Sequence, residues 1–197
     1  MAGVNLSYKK MSLNEIIVLS QQNDFKALEE LIRREQKNVY ASFSYLSNKS
    51  ENVSDLTQEA LFRVAKNICN LKNPQHFKSW LNQIVTHLFY DDLRKSQRKP
   101  ETVSLDEDIE DVKELKFQIP DKKCKPNEKC LSVELENIIK GAILGLPEQF
   151  RIVIVLREFQ GLSYDEIATA TKSNVGTVKS RIARARLKLQ EDLKAYI

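Results

Sequence analysis

From Lys172 to Lys188 the chain carries six basic residues (Lys172, Lys179, Arg181, Arg184, Arg186 and Lys188) and no acidic one. Gly176, Thr177, Ser180 and Ala183 are interleaved with them. This set suits a polyanion met at close range. Cationic side chains bond phosphates and base edges, and small side chains let a helix sink into a groove. A second basic cluster, Arg94, Lys95, Arg98 and Lys99, lies near mid-chain. Between the two, Glu101 to Glu114 holds seven acids and one lysine. The net charge is only +4 and the pI about 8.8. The pattern of charge therefore says more than its sum about an anionic partner.

The elements that must position the C-terminal cluster can be read directly. Ser163-Tyr164-Asp165-Glu166 is a capping box that opens a short helix, Tyr164 to Ala170. A turn at 171–174 follows, and Asn174 is an N-cap for a last helix from Val175 to about Lys194. At 100° per residue, Val178, Ile182, Ala185 and Leu189 share one stripe that packs on the domain. Gly176, Thr177, Lys179, Ser180, Ala183, Arg184 and Leu187 face away, with Arg181, Arg186 and Lys188 on the flanks. Short helix, turn and basic helix make a helix-turn-helix. Lys179, Ser180 and Arg184 are then placed for base edges, Ala183 for a thymine methyl, and the flanking cations for phosphates. A plainer reading makes these residues a solvated surface; the capping box and the clean sidedness weigh against it.

Upstream, helical spacing recurs in Ile16, Leu19, Phe25, Leu28, Leu31 and Ile32, with Asn23-Asp24 as a break and cap. Residues 46–54 read as a loop, and a helix is expected from Asp55 to Asn70. Asn73-Pro74 marks a turn before a long helix from His76 to Lys99, stopped by Pro100. Its buried stripe is Phe77, Trp80, Leu81, Ile84, Val85 and Leu88. The same helix is expected to expose Asn82, Gln83, Thr86, His87 and Tyr90. Residues 100–130 lack sustained periodicity and read as a flexible acidic linker. Beyond it, Val133, Leu135, Ile138 and Ile139 start a further helix, Pro147 suits the first position of the next, and Gly161 suits a helix C-terminus. The expected fold is all-α: a domain over 1–99, a linker over 100–130 and a helix-turn-helix domain over 131–197.

Several classes are disfavoured. No run of eighteen apolar residues is present, nor a signal-peptide pattern, so a cytoplasmic chain without membrane insertion is expected. The start of the helical pattern after Met11 leaves Met1 and Met11 as alternative starts. Two histidines, no Gly-rich phosphate loop and no serine elbow leave little for catalysis, so no enzyme and no cofactor are expected. Cys69, Cys124 and Cys130 lack disulfide or zinc spacing. Cys69 reads as a small buried hydrophobe on a helix, and no metal site is expected.

Two stretches resemble extracytoplasmic function (ECF) sigma factors of the sigma-70 superfamily. Leu146-Pro147-Glu148-Gln149-Phe150-Arg151, then Leu156 to Ala168, then Gly176 to Arg181 with Arg184-Ala185-Arg186, resemble their region 4. Asp55 to Phe62, Phe77 to Leu81 and Asp92-Leu93-Arg94 resemble region 2. The resemblance implies a promoter-specificity subunit of RNA polymerase, monomeric when free, serving a stress or envelope-type regulon. It implies −35 duplex contacts from Gly176, Thr177, Lys179, Ser180, Arg181, Ala183, Arg184 and Arg186. It implies single-stranded −10 contacts from Asn82, Gln83, Thr86, His87, Tyr90, Arg94, Lys95 and Arg98. Asp55, Gln58, Glu59 and Phe62 are the implied contacts to core polymerase, and an anti-sigma factor is an implied partner. Thr86-His87 departs from the Arg-Asn type of pair common in the family, so −10 preference does not transfer. A helix-turn-helix regulator acting without polymerase is the rival reading; it would need a sensor or dimer domain where the region 2 motifs stand.

Overall fold

Helix caps in this sequence fall where the local chemistry puts them. The computed structural model describes residues 8–47, 50–98 and 126–196, and every regular element among them is helical. Helix α1 (Leu13–Gln21) opens on Ser12, whose side chain forms a capping box with Glu15. Helix α2 (Phe25–Leu46) opens on Asp24, which accepts from the backbone of Lys26 and Ala27. Helix α3 (Ser50–Asn67) and a short 3-10 turn to Asn70 follow. The helix starts five residues earlier than the polar character of 46–54 suggested, because Val53 and Thr57 are buried there. Helix α4 (Phe77–Arg98) is entered through a Pro74 turn capped by Asn73.

Helix α5 (Pro126–Leu144) begins inside the expected linker. The rest of that linker, acids included, lies outside the described residues. Helix α6 (Glu148–Ile154) has Pro147 as its N-cap rather than its first residue, and continues into a π turn over Val155–Phe159. Gly161 takes φ +68° to leave that turn, a conformation glycine adopts without steric cost. Helix α7 (Tyr164–Thr171) and helix α8 (Val175–Leu193) complete the fold. No described helix is long and apolar enough to cross a membrane.

Helices α1 to α4 bury Ile16, Ile17, Leu31, Phe43, Val64, Phe77, Val85 and Phe89. Helices α5 to α8 bury Ile143, Leu146, Ile152, Leu156, Ile167, Val178 and Ile182. Trp80 packs partly against the first set. The two sets run into one another, so the halves lie in direct contact. Some apolar residues fall outside the core. Phe25, in the first turn of α2, is 81% exposed, and Leu135 on α5 is 50% exposed. Cys69, expected to be buried, is exposed in the 3-10 turn that ends α3. That turn rotates it off the buried stripe that Ile68 still follows.

Arg151 ties the halves together. It is 6% exposed, and its guanidinium donates to the carbonyl of Leu46 at 2.7 Å, to Leu144 at 2.6 Å and to Leu146 at 3.0 Å. Leu46 and Leu144 end α2 and α5, where carbonyls lack intrahelical partners and the helix dipole is negative. Two further contacts lie beside it. Gln160 Nε2 donates to Ser42 Oγ at 2.6 Å, and the Tyr45 and Phe159 rings lie 4.3 Å apart.

A second clamp holds the N-terminal turn. Arg34 donates to the carbonyls of Met11 and Tyr8 while its Nε bonds Glu30, which Arg33 also engages. Hydrogen bonds from Arg33, then from Arg34, lower the Glu30 carboxyl to about 2. A folded pKa below the free value of 4.5 means that this clamp stabilises the fold above that pH. The contribution then fades as pH falls towards 2. Glu30→Gln should therefore flatten the loss of thermal stability between about pH 5 and about pH 3, compared by calorimetry with the parent chain.

Candidate nucleic-acid interface

The C-terminal basic face is built on a buried stripe. Val178, Ile182 and Ala185 are buried and Leu189 is partly buried, which fixes the rotation of α8. Asn174 accepts from the Thr177 N–H at 2.7 Å and sets where the helix starts. One helix earlier, Ser163 and Glu166 complete a capping box, with the Ser163 N–H on Glu166 Oε2 at 2.9 Å and the Glu166 N–H on Ser163 Oγ at 3.3 Å. These bonds, the Ser163 backbone first, hold the Glu166 carboxyl below its usual range. The turn between α7 and α8 passes through Lys172 in the left-handed region, φ 51°. Arg181 donates to Ser173 Oγ at 3.1 Å and braces the same turn.

The resulting surface matches the sequence-derived face. Gly176, Lys179, Ser180, Ala183 and Arg184 are exposed, and Thr177 is half-buried beside its cap. Arg181 is half-buried by its bond to the turn. Arg186 is exposed but bonded to Glu158 at 2.6 Å, which raises its pKa further. Leu187, 60% exposed, shares the outward side. One neighbour of this face is not legible from residue spacing. Tyr164, at the start of α7, has the Arg157 guanidinium 4.8 Å and the Lys179 ammonium 5.9 Å from its ring centroid. A ring face attracts cations, so Tyr164 restrains Lys179 at the edge of the reading face.

The expected mid-chain face differs. Of the residues expected to be exposed on α4, only His87 is. Asn82 is 3% exposed and donates to the Lys78 carbonyl of its own helix. Thr86 is fully buried, and its hydroxyl has no hydrogen-bond partner. Gln83 and Tyr90 are half-buried. The physical reason is the second half of the chain, which packs α7 against α4. The Ser79 hydroxyl lies near the Glu166 carboxylate and helps to hold its pKa down. Burial pushes the Tyr90 hydroxyl up, with Arg181 and Glu148 close enough to act on it. Arg94 and Lys95 remain exposed, Arg94 loosely paired with Asp91 at 3.7 Å. The Arg98 side chain lies outside the described residues.

On α3, Asp55, Gln58, Glu59 and Phe62 are all exposed, Phe62 by 62%. Glu59 pairs with Arg63 at 2.7 Å. Exposed aromatic residues are enriched in protein–protein contacts, and the charges around Phe62 are mostly acidic. No group of three or more His, Cys, Asp or Glu side chains is placed to hold a metal among the described residues.

Comparison with known proteins agrees with this geometry. Residues 31–99 match the family model "Sigma-70 region 2" and residues 136–189 match "Sigma-70, region 4". The ECF RNA polymerase sigma-E factor of Haemophilus influenzae is 33% identical over 88% of this chain and 91% of its own length. The ECF RNA polymerase sigma factor SigE of Mycolicibacterium smegmatis is also 33% identical, over 85% of this chain; the chain spans 62% of that protein's length. Among solved structures, the sigma factor RpoE of Bartonella quintana, in complex with the anti-sigma factor NepR, aligns with a TM-score of 0.63. It is 26% identical, covering 87% of this chain and 97% of that one.

The capping box orients the whole helix-turn-helix, so its removal has a measurable cost. Ser163→Ala should lower stability by about 1 kcal/mol, read as a reduced denaturation midpoint of the purified chain.

Proposed function

Since the chain belongs to the ECF sigma factors of the sigma-70 family and serves transcription initiation, we propose a division of labour among its helices. Helix α8 reads the −35 element as duplex DNA. Lys179, Ser180 and Arg184 contact base edges, Ala183 and the small residues Gly176 and Thr177 permit close approach, and Arg181 and Arg186 contact phosphates. Helix α4 takes the −10 element as a single strand. Asn82, Gln83, Thr86, His87 and Tyr90 face the strand, and Arg94, Lys95 and Arg98 neutralise its backbone. Helix α3 docks on core polymerase through Asp55, Gln58, Glu59 and Phe62.

The observation that carries this reading is the face of α8. Its stripe is buried and its N-cap is filled, and Lys179, Ser180, Ala183 and Arg184 are exposed on one side. Each domain alone offers few DNA contacts, so tight promoter binding needs polymerase to hold both at once. An anti-sigma factor belongs among the partners, as in the Bartonella complex. The chain acts as a monomer when free, in the cytoplasm beside its polymerase, and serves a stress or envelope-type regulon.

Run-off transcription with core polymerase on pooled genomic fragments is the test. Start sites that share −35 and −10 motifs and depend on this chain are expected. Binding to duplex sites with no transcription would replace this reading by a stand-alone regulator. On a promoter so identified, Arg184→Ala should reduce initiation about tenfold or more, the loss of one good base contact. Phe62→Ala should weaken core binding by about 2 kcal/mol in a fluorescence titration, as the loss of an aromatic anchor does.

A further inference from the structure

Among the described residues three take a positive φ: Asn23 at 64°, Gly161 at 68° and Lys172 at 51°. Glycine has no Cβ to clash in the left-handed region, and asparagine is among the side chains that tolerate it. Lysine is not, so Lys172 holds a conformation that its own residue type disfavours. The turn leaves it no other. Lys172 is the C-cap of α7; its N–H bonds the Thr169 carbonyl at 3.4 Å, and the Ser173 N–H bonds the Ala168 carbonyl at 2.9 Å. On the other side Asn174 caps α8, and Arg181 reaches back from α8 to Ser173 Oγ at 3.1 Å. Disfavoured conformations of this kind cluster at functional sites. The Lys172 side chain is exposed, and its ammonium makes no hydrogen bond or ion pair among the described residues.

The position fits a phosphate. A helix with its side chains is about 10 to 12 Å across, and the major groove is about 12 Å wide. A helix end that enters the groove therefore fills it, and the chain leading to that end must pass the rim, where the phosphates run. Lys172 stands two residues before the Asn174 cap, at most about 7 Å of chain. The groove is about 8.5 Å deep, so Lys172 comes near the rim when the first turn of α8 is inside. We propose that Lys172 is a further phosphate contact of the −35 interface, a lysine held in a glycine-type conformation with its point charge on the DNA backbone beside the entry of α8. The proposal rests on the reading of α8 as the helix that enters duplex DNA. It gives the turn a role distinct from that of Lys179, Ser180 and Arg184: the contact adds affinity at every sequence and reads no base.

Charge and conformation can be varied separately at this position. Lys172→Asn and Lys172→Gly remove the charge and suit the left-handed turn, so neither should lower the denaturation midpoint of the purified chain. Holoenzyme carrying either variant should bind a promoter identified by run-off transcription about threefold or more weakly at about 0.1 M salt, read by fluorescence anisotropy. The slope of log affinity against log salt should shrink by about 0.9, the share of one phosphate contact. Lys172→Arg keeps the charge and should keep both affinity and slope. The loss in Lys172→Asn should be the same on a promoter with an altered −35 element, as expected of a backbone contact.

Unchanged affinity and slope in Lys172→Asn would overturn the contact. So would a loss that comes only with a lowered midpoint, which would assign the ammonium to the fold, or a loss confined to the intact −35 element, which would make Lys172 a base reader. Arg184→Ala holoenzyme is the reference for the reading of α8 itself. If Arg184→Ala binds the promoter as tightly as the parent, that reading fails. If Arg184→Ala weakens binding and Lys172→Asn does not, only the Lys172 contact fails.

Discussion

A single guanidinium holds the ends of two helices that belong to different halves of the chain. The C-terminal carbonyls of α2 and α5 converge on Arg151, two negative helix ends brought to one buried cation. Without it, those carbonyls would be buried without donors, and two like dipole ends would face each other. Burial lowers the pKa of Arg151, while the nearby Glu148 works in the opposite direction. A guanidinium tolerates this setting because it stays charged and its fork of donors serves several carbonyls at once. The position of α6, and through it of α7 and α8, relative to α2 follows from this contact.

The same arrangement divides the chain's two cationic regions into an open one and a covered one. On α8 the apolar stripe faces its own half, so Gly176, Lys179, Ser180, Ala183, Arg184 and Arg186 are left exposed. On α4 the apolar stripe faces α2 and α3, and the adjacent polar side is left for something else. In the free chain that something is α7. His87 and the last turns of α4, with Arg94 and Lys95, remain exposed.

The boundary between the halves combines a continuous apolar core with buried polar groups. Beside the apolar residues that run across it, this boundary places Gln160 on Ser42, and the Thr86 hydroxyl is fully buried without a hydrogen-bond partner. Each polar group loses hydration on burial and regains only a modest net benefit from any partner. The apolar stripes and caps of the helices are internal to each half.

Local chemistry in the sequence determined most of the elements and which residues of α8 face outward. The capping residues Asp24, Ser163 and Asn174 act on neighbours three residues away or fewer, so composition and spacing suffice to find them. The stripe Val178, Ile182, Ala185 and Leu189 is likewise a property of one helix, and it settles which cations of α8 face outward. The fate of Asn82, Thr86 and Tyr90 was not legible in this way. Helical periodicity separates polar from apolar sides but does not say whether a polar side meets water or another domain. Cys69 and Phe25 show the same limit from the other direction: both have core-forming side chains, and tertiary placement leaves both in solvent. Caps and stripes are decided within a few residues of chain. The packing of α7 on α4, like the bond between Arg151 and Leu46, 105 residues apart, arises only in the folded arrangement.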